Sequence, residues 1–373
     1  MKKSFFLLGF ICVSFAFIIS SCKKKEDEEP EIENLFNKSG MLSNIGNNII
    51  IPQYEMLKNK LDSLYQLCLD FNSNTNLGGL NTLRSHFHET YKSYQWVSTF
   101  EFAQAEIDIL RANLNTFPCD TTQVNSNISS GVYDLNTVSN IDAKGFPAID
   151  FLLYRSNQND TYILSVFNSS VTAKAYLLDI INEMKSKVTV VYNSWKSDGG
   201  NYVSTFQSNT GSDVGGSIGM LVNQLNFDFE ILKNARIGIP LGKQTLGIPL
   251  PEKVEAYYSG ISLDLILHHI QNIENIYLGR SKQGDDGLGL DDYLAHINAR
   301  YGAGSLNDAI KNKFNTAKSK LLLIPSPLSQ AVVGNSAIVD NAYAELQQLI
   351  VLLKVDMPSA LGVLITYQDN DGD

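Results

Sequence analysis

Several signatures of hydrolytic and nucleotide chemistry are missing from this chain. It contains no HExxH, no GxxxxGK[ST] and no CxxC. No zinc-protease helix, phosphate loop or thiol redox pair is therefore written into it. Histidine is scarce, with His86, His88, His268, His269 and His296 only. His86 and His88 are two apart, and His268 and His269 are adjacent, so on a helix the rings of each pair diverge and do not chelate one ion. Period-two alternation is nearly absent, which argues against a sheet-rich fold. No repeat of the solenoid type is present. Basic charge is also in deficit: the formal net charge is −10. An acidic chain is a poor partner for nucleic acid or an anionic membrane surface.

What is present begins with the N-terminus. Lys2 and Lys3 precede a nearly pure apolar run, Phe5 to Ile19, too short for a stable membrane span and suited to a secretory signal. The run ends in Ile-Ser-Ser-Cys, Ile19 to Cys22, which resembles a bacterial lipobox. The expectation is cleavage after residue 21 and lipidation of Cys22, whose acyl chains together anchor stably. Loss of residues 1–21 removes two lysines and no acid, taking the charge from −10 to −12. Residues 22–45 then read as the lipidated cysteine and a tether. Its stretch KKKEDEEPEIEN, Lys23 to Asn34, is too charged to bury a core. An acidic run at this place is similar to the surface-export signal of Bacteroidetes lipoproteins, and it serves equally as a spacer. An outer-membrane lipoprotein, facing the periplasm or the cell surface, is expected. Cys68 and Cys119 remain; an oxidising envelope would permit their pairing, and neither sits at a metal-type spacing.

The rest of the chain has helical periodicity. Leu57, Leu61, Leu64 and Cys68 recur at three and four, as do Leu80, Leu83, Phe87, Tyr91 and Tyr94. The same holds for Leu177, Ile181, Met184, Val188, Val191 and Trp195, and for Leu221, Leu225 and Leu232. A later stripe runs through Ile261, Leu265, His268 or His269, and Asn272. Wide apolar stripes with polar backs are the pattern of bundle helices. SDGGN and NTGSDVGG punctuate the middle of the chain. The fold class is read as all-α, with an N-terminal helical bundle over 46–205 and a C-terminal one over 212–373.

Three segments carry candidate chemistry. YKSYQWVSTFEFAQAE sets Trp96 and Glu101 among aromatics. PEKVEAYYSGIS places Glu255, Ser259 and Ser262 at spacings of four and three, a polar stripe if the segment is helical. The same serines could instead bond back to carbonyls at a kink around Gly260. KGFPAIDFLLY carries one acid, Asp150, in an apolar run. Pro147 suits a first helical turn, and Asp150 is expected in that same turn, near the positive end of the helix dipole.

GFPAIDFLLY resembles the signature of the imelysin family: a glycine, an aromatic, His-x-x-Glu, then Phe-Leu-Leu-Trp. VEAYYSGISLDLILHHIQNIENIYLG is similar to the family's second-half helix, and GLGLDDYL follows it. YKSYQWV and NTFPCD have counterparts as well, and ALGVLITYQDNDGD resembles the family's closing aromatic strand. The resemblance runs in order from about Asn47 to the last residue. It implies an envelope protein of two duplicated helical bundles, in a family first described as metallopeptidases and associated more broadly with iron uptake. It implies a site where the bundles meet. A His and a Glu three apart on one helix face would offer two ligands to a metal ion. Here those positions hold Pro147 and Asp150. Proline ligates nothing, and a hydrolytic zinc site needs three protein ligands and a water.

The resulting reading is a non-catalytic imelysin-like lipoprotein of iron or haem uptake, working with transport machinery. Its cleft would be lined by Trp96, Asp150, Tyr154, Glu255, Ser259 and Ser262. Asp150 is the one candidate metal ligand, for iron or another divalent metal. The alternatives are a divergent metallopeptidase using residues such as His86, His88 or Glu101, and an interaction protein with no small ligand. The tail DNDGD is not an EF-hand, because the chain stops before position twelve. Asp369, Asp371 and Asp373 could still offer oxygens to a calcium ion.

Overall fold

The apolar stripes become long helices with the expected faces inward. A computed structural model describes residues 35–155 and 158–367. Eight helices matter below: α1 (Ile51–Ser73), α2 (Leu77–Tyr94), α3 (Gly145–Tyr154), α4 (Val171–Trp195), α5 (Ser217–Glu230), α6 (Ser262–Tyr277), α7 (Leu306–Leu321) and α8 (Ser336–Val351). Their starts follow ordinary capping chemistry. Asn76 caps α2 through Gly79 N–H, Ser170 caps α4 through Ala173 N–H, and Ser305 caps α7 through Asp308 N–H. The stripe Leu57, Leu61, Leu64, Cys68 is fully buried on α1, as is Leu177 to Trp195 on α4. Helix α1 packs against α2 and α4, while α7 packs against α8. Strand structure among the described residues is confined to a two-residue antiparallel pair, Arg300–Tyr301 with Gly304–Ser305. The fold is all-α, and from Asn37 onward the described residues belong to one compact unit.

Three helices carry a widened turn, and each has a proline two residues past it. The π-helical turns are Ile45–Ile50, Ile231–Gly238 and Leu352–Asp356. The prolines are Pro52, Pro240 and Pro358. The residue just before each proline donates its N–H five residues back: Ile51 to Gly46, Ile239 to Asn234 and Met357 to Leu352. A proline inside a helix has no N–H and clashes with the carbonyl four residues earlier. Widening the preceding turn moves that carbonyl away, so the helix continues in register instead of breaking.

Two expectations are corrected. The segment from Pro251 to Gly260 is a short 3₁₀ turn followed by turns, not part of a helix; α6 starts at Ser262. Positive φ at Ala256 (50°) and Gly260 (73°) is incompatible with a continuous helix. Glu255, Ser259 and Ser262 therefore do not form a helical stripe. The closing segment Val363–Thr366 is irregular rather than a strand. Cys68 and Cys119 are free thiols. Residues 1–34, with Cys22, and Asp369, Asp371 and Asp373 lie outside the described residues.

An aromatic cluster closes the end of α4. Trp195 is fully buried, with Tyr202, Phe206 and Phe102 rings at centroid distances of 4.9, 5.3 and 5.7 Å. Edge-to-face packing of this kind adds to the burial of apolar area. Trp195→Ala is expected to lower the urea-unfolding free energy by about 3–5 kcal/mol. The exposed Val171→Ala should stay within about 0.5 kcal/mol of the parent. Equal midpoints for the two variants would contradict this assignment of the core.

Candidate functional site

Helix α3 is held at its start by a glycine and a lysine. Gly145 adopts φ of 69°, and a Cβ there would come within 2.2 Å of the Leu114 carbonyl oxygen. Only glycine tolerates both the conformation and the contact. Lys144, just before it, is buried and donates to the Leu135 carbonyl and to Glu183 at 2.8 Å. Pro147 sits in the first turn, as its chemistry predicts. Asp150 does not: it lies at the sixth position of the helix, beyond the reach of the dipole's positive end.

Asp150 is 1% exposed, and both carboxylate oxygens are occupied. Oδ2 accepts from Tyr258 N–H at 2.9 Å and Oδ1 from Ser259 N–H at 3.0 Å. The side chain thus bridges α3 to the turns that precede α6. Burial pushes its carboxyl up to about 7, against the pull of the bonds from Ser259 and Tyr258. The ring of Phe151, next on α3, packs on Tyr258 at 5.2 Å and fixes the same turn from the side.

The other predicted site residues scatter. Ser259 belongs to the wall of an open cavity, with its Oγ turned away from solvent beside the Asp150 carboxyl. Tyr154 donates or accepts at His88 Nε2 over 2.7 Å, with the two rings stacked at 5.5 Å and Arg84 over the tyrosine face at 4.7 Å. Trp96 lies in the turns after α2, edge-on to His268 and under the ammonium of Lys282, and its Nε1 makes no hydrogen bond. Glu255 and Ser262 are shut in the interior, where Ser262 Oγ donates to the Glu255 carbonyl. Glu101 accepts the Arg111 backbone N–H at 3.0 Å, and burial pushes its carboxyl up to about 6 against Arg111.

Glu255 belongs to a buried polar seam that the sequence reading missed. Its Oε2 lies 2.8 Å from Arg236 Nη1, and its Oε1 accepts from Asn115 at 2.6 Å and Gln95 at 3.3 Å. Arg236 donates in turn to Gln95 Oε1. Asp228 forms the second node, accepting at Oδ2 from Thr99 at 2.7 Å and Ser98 at 3.1 Å. His269 Nε2 reaches the same oxygen at 2.6 Å, and Arg111 stands 3.8 Å from Oδ1. Asp228, Arg236, Glu255 and His269 are each at most 2% exposed. Burial alone would raise the Asp228 carboxyl; the charge and hydrogen bond of His269, with Arg111 and Thr99, outweigh it and hold the group well below the carboxylate range. A signal for this seam was present. The spacing Leu221, Leu225, Asp228, Leu232 puts an acid on a buried stripe, and Leu265, His269, Asn272 does the same for an imidazole. A charge on a buried face requires a partner elsewhere.

The residues present do not fit a metal ion at the His-x-x-Glu positions. Pro147 has no donor atom, and both oxygens of Asp150 are taken by backbone amides. Among the described residues no group of three His, Cys, Asp or Glu side chains is placed to hold an ion. His86, His88 and Glu101 are not brought together.

Comparison with known proteins places this architecture. The imelysin family model matches residues 50–354, and the chain belongs to that family. A solved structure from Parabacteroides distasonis, described as the precursor of an iron-regulated protein A, is 18% identical with a TM-score of 0.73, covering 87% of this chain and 95% of its own. An imelysin-like protein from Psychrobacter arcticus is 15% identical with a TM-score of 0.67, covering 89% and 97%. These likenesses establish the fold. No curated protein matches the chain significantly.

Two outcomes follow for the seam and the clamp. Asp150→Ala leaves two backbone amides unpaired and should cost about 1–3 kcal/mol, with faster hydrogen exchange at Tyr258 and Ser259. Unchanged exchange there would remove the clamp. A carboxyl depressed in the fold contributes stability above its unfolded pKa and loses it as pH falls. The urea midpoint should therefore drop below about pH 4 more steeply in the parent than in Asp228→Asn.

Proposed function

We propose that this imelysin-family chain is a non-catalytic envelope lipoprotein of iron or haem uptake, anchored through lipid on Cys22. The observation that carries the non-catalytic part is the occupation of Asp150. At the position where the resemblance expects a glutamate ligand, the carboxylate is spent on two backbone amides, three residues after a proline that replaces the histidine. A water-activating metal would need ligands that these residues do not offer.

Iron enters as cargo, and its support is of two kinds. One structural neighbour is described as iron-regulated. The half-buried pair Tyr154 and His88 also presents a phenol and an imidazole, donors that ferric iron and haem iron accept. Neighbouring Arg84 favours the ionised phenol, against the burial that raises its pKa. The rest of the uptake machinery would receive the cargo from this protein at the membrane.

The test uses the soluble protein of residues 23–373, titrated with haemin and with ferric citrate and assayed for peptide hydrolysis with and without chelator. Expected are no chelator-sensitive hydrolysis, and a haem or iron absorption band that Tyr154→Phe weakens by about tenfold or more while Asp150→Ala keeps it. Hydrolysis abolished by chelator would establish the metallopeptidase alternative. Binding lost in Asp150→Ala but kept in Tyr154→Phe would make Asp150 the ligand after all. Absence of any binding would favour an interaction protein without a small ligand.

A further inference from the structure

The turns clamped by Asp150 form one wall of an open cavity of about 560 Å³. Tyr257, Tyr258, Ser259 and Gly260 lie on one side; Ser326, Pro327, Ser329 and Gln330 lie on the other. The volume is that of a small-molecule site. Its chemistry is unusual for an acidic protein, because no charged side chain lines it. Tyr257 and Tyr258 meet edge to face at 5.2 Å, and Tyr258 is braced from behind by Phe151. Both tyrosines are half-buried in this wall, whereas the Ser259 Oγ is turned away from solvent.

We infer that this cavity binds a neutral, polyhydroxylated ligand, the end of an oligosaccharide. A charged ligand would lose hydration without meeting an opposite charge. A purely apolar one would leave the serine hydroxyls and the Gln330 amide unpaired. A sugar satisfies both faces: its C–H side packs on an aromatic ring, and its hydroxyls pair with Ser326, Ser329 and Gln330. The wall is already formed, since Asp150 holds the Tyr258 and Ser259 amides and Phe151 holds the ring, so little ordering is left to binding. The site is independent of the iron reading: it uses neither Tyr154 nor His88.

The test is saturation-transfer NMR on the protein of residues 23–373 with maltohexaose, cellohexaose and mannohexaose, followed by calorimetry on any that binds. At least one is expected to bind. Tyr257→Ala should weaken it by about tenfold or more. Gln330→Ala, at an exposed position that the fold does not depend on, should weaken it in the same direction. A urea-unfolding curve for each variant separates a lost contact from a lost fold. Failure of all three sugars to bind, or binding that both variants leave unchanged, would overturn the assignment. So would a proline-rich decapeptide that binds the parent where the sugars do not, since aromatic and proline walls also suit such peptides. Haem titration of Tyr257→Ala should match the parent, which keeps the two sites distinguishable.

Discussion

Arg236 and Glu255 form an ion pair with essentially no access to water, and the packing of the molecule is organised around satisfying it. Two charges withdrawn from solvent are tolerable only with good geometry and further hydrogen bonds. Gln95 supplies both functions at once, accepting from the arginine and donating to the glutamate, and Asn115 adds the second donor. Asp228 repeats the scheme with His269, Thr99 and Ser98. Each node draws one set of groups from residues 95–115 and another from 228–269. Sliding either set by one helical position would strand a buried charge.

Asp150 acts by the same logic at the edge of the seam. Its carboxylate takes two backbone amides that would otherwise be buried donors without acceptors. This explains how a family motif can lose its histidine and keep an acid. The chain still needs a hydrogen-bond acceptor on α3 to hold the turns before α6, whether or not a metal is involved. Gly145 is required for a separate reason, its positive φ and its contact with the Leu114 carbonyl.

The functional consequence is a separation of tasks. The interior junction is closed by its own ion pairs and serves as a frame. Groups able to meet a ligand lie at its margins: Tyr154 with His88 on one side, the Tyr257–Gln330 cavity on another. Both depend on α3, through Tyr154 at its end and through the Asp150 clamp. A single helix therefore positions two chemically different surfaces, one with a phenol and an imidazole and one with neutral hydroxyls.

Helical periodicity was legible residue by residue, because the stripes from Leu57 to Cys68 and from Leu177 to Trp195 are buried as their spacing requires. So was the family, from short motifs kept in order over most of the chain. The widened turns before Pro52, Pro240 and Pro358 were not read, although proline chemistry accounts for them. Glu255, Ser259 and Ser262 misled because spacings of four and three mimic a helix, while Gly260 and Ala256 turn the chain instead. Asp228 and His269 sat on apolar stripes, and sequence alone could not say which charge answers which. The all-α class was determined locally, by 3.6-residue periodicity, capping and turn residues. The pairing of Asp228 with His269, of Glu255 with Arg236, and of Asp150 with two amides more than a hundred residues away was decided by tertiary structure. Such contacts depend on where distant segments meet, which no local pattern encodes.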